Sequence, residues 1–224
     1  MSVRPPEFVI AGIVIALATA CSGARPETAH SAMGPEAAIA RARADSLRYP
    51  YTKADIDFMA GMIHHHAQAI VMSRLAPTHG ASPAVIRLTE RIINAQADEI
   101  ALMQTWLRDR NQPVPEPNPA GMPMQHGAMT HVMPMPGMLT PEQMKQLDDA
   151  RGEQFDQLFL TLMIQHHRGA LEMVRTLFES HGAAQDETIF AFANDVEVDQ
   201  STEITRMLQM LIEAPVKPPE DNQS

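Results

Sequence analysis

The sequence predicts an all-α protein, a four-helix bundle built from two repeated helical hairpins. A motif at residues 55–72 is written again at residues 156–173, and both copies place apolar residues at helical spacing around adjacent histidines. No segment alternates apolar and polar residues with period two over the length of a strand. Two hairpins that each leave an apolar face uncovered pack most simply into a four-helix bundle.

The two copies correspond at four places in the same order. Each contains Asp-x-x-Phe, Met-Ile-x-His-His, His-Gly-Ala and Gln-x-x-Glu-Ile-x-x-Met at nearly constant spacing. Four matches in one order identify an internal duplication. They lie at residues 55–58, 62–66, 79–81 and 96–103 in the first copy, and at residues 156–159, 163–167, 181–183 and 200–207 in the second.

Residues 1–20 have the pattern of a signal peptide. An apolar run at residues 8–20 follows Arg4 and is too short for a comfortable membrane span. Small residues precede Cys21, as in a bacterial lipobox, where the cysteine is lipidated; simple cleavage after Ala20 and retention as a membrane anchor are the alternatives. The sequence thus predicts an exported protein, periplasmic or anchored to the outer membrane.

Residues 21–50 are predicted to be a lipidated tether and a lead-in helix, and residues 51–112 the first helical hairpin. Thr52 and Asp55 form a capping box, so the first helix begins there and runs to about Ala76. Ser82 and Pro83 give the next helix an N-cap and a proline in its first turn. This second helix is expected to end near residue 110.

Residues 113–138 form a linker rich in methionine, histidine and proline. Its dense prolines and glycines exclude a regular helix. A flexible spacer is one interpretation. The other is a set of ligands for monovalent copper, because solvent gives no hydrophobic reason to choose methionine, whereas thioethers and imidazoles suit that ion.

Residues 139–214 are predicted to be the second helical hairpin, followed by a disordered tail at residues 215–224. Thr140 and Pro141 signal a helix start, and the helical pattern continues through Gly152 to about Ser180. The last helix is expected from about residue 186 to residue 213.

Composition excludes several classes of protein. A formal net charge of -10 argues against nucleic-acid binding, and one cysteine excludes an internal disulfide framework and a cysteine-based zinc cluster. Methionine is frequent, at 17 of 224 residues, while aromatic residues make up 4%. Thioethers therefore replace rings in the interior.

Polar groups lie within the apolar helix faces. At about 100° per residue, Met62 and His66 share one stripe, and Glu99 shares another with apolar neighbours. Burying such groups is costly unless something pairs with them. We therefore expect Glu99 and Gln96 to meet the imidazole pair or an ion held between the helices.

These motifs resemble a known family. Asp-x-x-Phe-Met-x-x-Met-Ile-x-His-His-x-x-Ala-x-x-Met, followed by Gln-x-x-Glu-Ile-x-x-Met, is similar to the bacterial family called domain of unknown function 305, over roughly residues 50–213 in two copies. The resemblance implies a ferritin-like helical fold and copper binding. Copper comes from the resemblance and the ligand types, because spacing alone indicates only a ligand-rich helix face.

The predicted function is capture, buffering or resistance involving copper as Cu(I), Cu(II) or both. Imidazole with thioether suits the cuprous ion, and imidazole with carboxylate suits the cupric ion. The predicted ligands are Met62, His65, His66, Met72, Glu99, Met103, Met163, His166, His167, Met173, Glu203 and Met207. Weaker candidates are His64, Met59, Met122, Met124, His126, Met129 and His131.

Two alternatives remain open. One is a ferritin-like dinuclear metal oxidase, although neither repeat contains the Glu-x-x-His that such sites use. The other is a structural bundle without metal, in which the histidines only hydrogen-bond Glu99 and Gln96. We expect no enzymatic activity. The expected partners are copper ions and, through the lipid anchor, a membrane; a homo-oligomer and a copper-efflux partner are left open.

Overall fold

Five α-helices make up most of the described part of the chain. The computed structural model describes residues 51–126 and 129–213, and within them it contains five α-helices, one short 3-10 helix and one two-stranded sheet. The elements are α1 (Lys53–Leu75), the 3-10 helix (Ala76–Thr78), α2 (Pro83–Asp109), β1 (Met122–His126), β2 (Met129–Met133), α3 (Pro141–Asp149), α4 (Gly152–Glu179) and α5 (Glu187–Glu213).

Side-chain caps mark the N-terminal starts of four helices. Thr52 and Asp55 form the predicted capping box at α1, and Ser82 accepts a hydrogen bond from the Val85 N–H at α2. Thr140 forms a second capping box at α3. Asp186 accepts hydrogen bonds from the backbone N–H groups of residues 188 and 189, which starts α5.

The helices pack as two hairpins joined through their first members. α1 packs on α2, α4 packs on α5, and α1 crosses α4. One apolar cluster joins Phe58 of α1 to Leu177 of α4, and the other joins Met72 of α1 to Phe159 of α4. Because each cluster combines opposite ends of α1 and α4, the two helices run antiparallel. The all-α bundle of two hairpins is confirmed.

The predicted long third helix is wrong in one respect, since it is divided into α3 and α4. Ala150 is extended, with φ -73° and ψ 151°, and Gly152 has φ +57°, a conformation that glycine adopts readily. The Gly152 N–H donates to the carbonyl of His79 at 2.8 Å. This contact with the turn of the first hairpin ends one helix and begins the next.

The linker contains a β-hairpin, which was not predicted from the sequence. β1 and β2 pair antiparallel, with Met122 opposite Met133 and Met124 opposite His131. Its composition concealed it, because Pro123 lies within β1 and methionine is not among the residues typical of strands.

Several predictions concern residues outside the described ranges. The signal peptide, Cys21, the tether with its lead-in helix, and the tail after residue 213 all lie there. Over the part of the chain that the structure describes, none of the helices combines the length and apolar character needed to cross a bilayer.

Candidate metal centre

Four histidines form a layer across the middle of the bundle. His65 and His66 of α1 and His166 and His167 of α4 are each fully buried. They lie where α1 crosses α4, between the two apolar clusters, because each helix carries its histidines between one stretch assigned to each cluster. The duplicated His-His motif thus brings both pairs to one level of the core.

His66 and His167 are the outer histidines of the layer, and each lies close to a glutamate of its own hairpin. His66 Nε2 lies 2.6 Å from Glu99 Oε2, and His167 Nε2 lies 2.7 Å from Glu203 Oε2. The second pair is aligned as a hydrogen bond, whereas the first approaches closely without that alignment. The predicted meeting of imidazoles and carboxylates therefore occurs twice, once in each repeat.

The inner histidines stack on each other. The ring centroids of His65 and His166 are 3.8 Å apart, with 40° between the ring planes. Burial, followed by the charges of neighbouring histidines, holds the pKa of both rings well below the usual value. Both rings are therefore neutral at neutral pH, which is the form that can bind a metal.

A backbone carbonyl orients His65. Its Nε2 lies 3.1 Å from the carbonyl oxygen of Pro136, so Nε2 carries the proton and donates. The Nδ1 atom is then the unprotonated nitrogen of the ring. This arrangement resembles the hydrogen bonds that fix the tautomer of metal-binding histidines.

Many polar atoms in the layer are buried without a hydrogen-bond partner. Buried polar groups are normally paired, so a cluster of exceptions requires an explanation, and a bound ion is one that would pair several of them at once. The imidazole nitrogens among them fit a copper ion by donor type, since imidazole is a common copper ligand. The unpaired atoms are Nδ1 of His65, both ring nitrogens of His66 and His166, Nδ1 of His167, and Oε1 of Gln96 and Gln200.

An acidic cleft of about 400 Å³ opens between α2 and α5 beside this layer. Glu99, Glu203 and Asp199 line it, and Arg91 Nη2 lies 3.5 Å from Glu203 Oε1. Partial burial, followed by the negative charges of Glu99, Asp195 and Glu203, raises the pKa of Asp199. The cleft therefore has a negative potential, which attracts cations.

The predicted methionine ligands divide between the two apolar clusters in an order that mixes the repeats. Met62 and Met103 of the first repeat lie with Met173 of the second. The other cluster contains Met163 and Met207 of the second repeat with Met72 of the first. Each side of the histidine layer thus has three of the six predicted thioether ligands, where the sequence had suggested that each repeat supplies its own set.

Across residues 51–126 and 129–213, no three His, Cys, Asp or Glu side chains are grouped closely enough to hold one metal ion. Each outer histidine has one carboxylate, and the inner pair has none in direct contact. Further donors to a single ion would have to be thioethers, amide oxygens or the second histidine pair. This donor set is suited to copper, which binds thioether and imidazole.

The weaker candidates have different surroundings. His64 is buried, and its Nδ1 accepts a hydrogen bond from the Asn118 N–H at 3.1 Å, so it holds the linker. Met59 is buried in an apolar cluster. Met122, Met124 and His131 lie on the β-hairpin. His126 and Met129 also belong to its strands, but their side chains are outside the described part.

No sequence pattern directly predicted that the linker contacts the histidine layer. Gln68 holds it at two places, with Nε2 donating to the carbonyls of Pro119 and Leu139 and Oε1 accepting from the Leu139 N–H. At the equivalent place in the second repeat stands Gly169, where a Cβ would lie 2.0 Å from the carbonyl oxygen of Pro136. The glycine at this place was the available signal, since it permits close backbone approach.

Comparisons with known proteins agree on one family. Residues 55–211 match the family described as Domain of unknown function (DUF305). A candidate secreted DUF305 protein of Streptomyces coelicolor is 28% identical, with a TM-score of 0.60 over 72% of this chain and 93% of that one. A DUF305 fragment of Deinococcus radiodurans is 26% identical, with a TM-score of 0.59 over 72% and 97%.

CopM in its Cu(II)-bound form is also similar. It is 28% identical, with a TM-score of 0.55 over 70% of this chain and 95% of that one. CopM was also solved with Cu(I) and with silver. No match was found among curated proteins.

Proposed function

The chain belongs to the DUF305 family, and from that premise we propose that it binds copper ions at the buried histidine layer of its bundle. The carrying observation is the set of unpaired imidazole nitrogens of His65, His66, His166 and His167, which lie next to two glutamates and between two groups of thioethers. Copper binding by CopM, which is 26–28% identical, supports the same conclusion.

The donors suit both oxidation states. His66 with Glu99 and His167 with Glu203 are imidazole and carboxylate pairs, which suit Cu(II). The thioethers that flank the layer suit Cu(I) when combined with the same imidazoles. Because the inner rings stay neutral, metal does not have to displace a proton from them at neutral pH.

We propose a role in capture or buffering of copper outside the cytoplasm, without catalysis. A ferritin-like dinuclear oxidase uses one glutamate from each of two helices and a Glu-x-x-His motif on each of the other two, whereas neither repeat here contains Glu-x-x-His. Export is supported by the signal-peptide pattern at residues 1–20 and by the candidate secreted relative from Streptomyces coelicolor.

The test replaces one histidine in each half, His66→Ala with His167→Ala. Loss of these imidazoles should weaken Cu(II) and Cu(I) binding at least about tenfold, because each substitution removes one proposed copper ligand from a histidine pair. Bound metal is measured by elemental analysis, and affinity by chelator competition. Helical circular dichroism monitors folding.

His181→Ala is the matched control, since this exposed histidine follows the C-terminal end of α4 and lies outside the layer. It should leave copper binding unchanged. If the double variant folds and keeps wild-type stoichiometry and affinity, the histidine layer is not the copper site.

A further inference from the structure

The β-hairpin in the linker has two chemically different faces. Residues that stand directly opposite in an antiparallel pair share a face, as do alternate residues of one strand. The pairs Met122 with Met133 and Met124 with His131 therefore lie on one face. The opposite face carries Pro123, Gln125 and Val132. Among the side chains that the structure describes, this face gathers three thioethers and one imidazole and no carboxylate.

The structure separates these methionines from the others in the linker. Met138 is buried, and its Sδ accepts a hydrogen bond from the Met135 N–H at 3.2 Å. Met135 is half-buried and packs with its Sδ near Gly61. Both have a structural reason to be methionine.

The hairpin methionines lack that reason. Met122 and Met124 are half-buried, and Met133 is 44% exposed. None of the three belongs to the two apolar clusters of the bundle. A two-stranded hairpin by itself is marginally stable in water. Core packing therefore does not account for a row of thioethers on this face.

We propose that this face, formed by Met122, Met124, His131 and Met133, is a second metal site that takes a soft monovalent cation, Cu(I) or Ag(I). Opposite residues have Cβ atoms about 4.5–5.5 Å apart, and diagonal neighbours are about 7–8 Å apart. Long, flexible methionine side chains can converge on one ion across such distances. Thioether and imidazole donors select soft cations, and without a carboxylate the face offers little to Ca²⁺ or Mg²⁺.

The site shares no ligand with the histidine layer, so it does not depend on the function proposed above. An ion on this face would join β1 to β2 and stabilise the hairpin, because it binds the paired strands and not the separated ones. A layer that holds copper and a hairpin that does not, or the reverse, are distinguishable results.

The experiment uses the full chain and replaces three thioethers by leucines of similar volume, Met122→Leu with Met124→Leu and Met133→Leu. The probe is silver nitrate in chloride-free buffer, titrated by calorimetry and followed by NMR of methionine methyl groups. The variant should bind about one Ag(I) fewer per chain, because leucine offers no donor. Its Cu(II) binding at the histidine layer should equal that of the wild type.

Met144→Leu with Met210→Leu is the matched control, since these methionines pack against the bundle core. It should keep the full silver stoichiometry. In the wild type, the methyl signals of the three hairpin methionines should shift together as Ag(I) is added. Unchanged silver stoichiometry in the triple variant, or methyl signals that do not move, would overturn the proposal. Loss of Cu(II) binding in the triple variant would overturn the separation of the two sites.

Discussion

The stacked pair of His65 and His166 determines how the centre of the bundle responds to protons. Both rings are fully buried, and their ring centroids are 3.8 Å apart. A charge on either ring would be poorly solvated and close to its neighbour, so burial comes first and neighbouring imidazoles second in lowering the pKa of each. The fold thus requires the neutral form.

Stability should therefore fall on mild acidification. In the unfolded chain both histidines take up protons as the pH drops through about 6.5, while in the folded chain they do so only at lower pH. The unfolded state binds more protons between these values, so it is favoured as the pH falls through that window. We expect a loss of at least about 1 kcal/mol in the free energy of unfolding between pH 7.5 and pH 5.5.

Urea denaturation of the metal-free protein at the two pH values measures this loss. His65→Gln with His166→Gln should flatten the dependence, because glutamine does not titrate. An equally steep dependence in that variant would assign the effect to other groups.

At this scale the sequence predicted the residue types of the site better than their contacts. The glutamate partners of His66 and His167 follow from matching helix faces, and the structure places both pairs within 2.7 Å. The Pro136 carbonyl that orients His65 lies 71 positions away, in a segment without periodicity. Periodicity predicts which face of a helix is buried but gives no information on where an irregular segment returns to it.

At the scale of elements, an aspartate of each repeat accepts a backbone hydrogen bond from the turn between the two helices of the other repeat. Asp55 Oδ1 accepts from the Ala184 N–H at 2.7 Å, and both carboxylate oxygens of Asp156 lie 3.1 Å from the Ser82 N–H. Ala184 has φ +55°, a left-handed conformation that costs roughly 1–2 kcal/mol for a residue with a side chain. The hydrogen bond to buried Asp55 offsets this cost. The repeated Asp and His-Gly-Ala segments therefore hold the hairpins together.

Asp55→Ala should destabilise the bundle by about 2–3 kcal/mol, because it removes the α1 capping box and a buried hydrogen bond. Copper binding at the histidine layer should persist under conditions where the variant is folded. The urea midpoint and a copper titration test the two parts.

Asp57→Ala is the control, since Asp57 is exposed and forms an ion pair with Lys53 within one helix. It should cost no more than about 0.5 kcal/mol. If Asp55→Ala abolished copper binding in the folded state, Asp55 would belong to the metal site.

Helix boundaries were predictable where a cap or proline marks them, and not where a distant contact does. Thr52, Ser82 and Thr140 each signal a start that the structure contains. The division between α3 and α4 depends on the Gly152 N–H bonding to the His79 carbonyl, which no local pattern specifies. The β-hairpin was hidden for a similar reason, because methionine-rich strands interrupted by Pro123 lack the usual composition of a strand.

At the scale of the whole molecule, the duplication is symmetric in its site and asymmetric in its linker. Both repeats contribute a His-Glu pair to the same layer and a buried glutamine to the cleft beside it. Only the first repeat offers Gln68 to hold the linker, and only the second offers Gly169 to let it approach. The two halves are therefore distinguishable although they descend from one motif.

The membrane attachment predicted from the sequence concerns a part of the chain outside the described residues. Cys21 is the single cysteine and follows small residues, as in a lipobox. Cys21→Ala should move the protein from the membrane fraction to the soluble exported fraction, because no acyl chain can then be added. Fractionation with immunodetection measures the change. Ser22→Ala is the control and should stay with the membranes. Unchanged membrane association of Cys21→Ala would favour a retained apolar anchor.

The histidine layer is covered by the linker on one side and lies beside a solvent-accessible cleft on the other. The linker passes close to Gly169, and the carbonyl of Pro136 contacts His65. Linker backbone therefore covers the interface between α1 and α4. On the opposite flank, the cleft between α2 and α5 presents the carboxylates of Glu99, Asp199 and Glu203 to solvent. We expect copper ions bound as proposed above to enter and leave through this acidic cleft. A protein that delivers or receives the metal would then contact the bundle on that side.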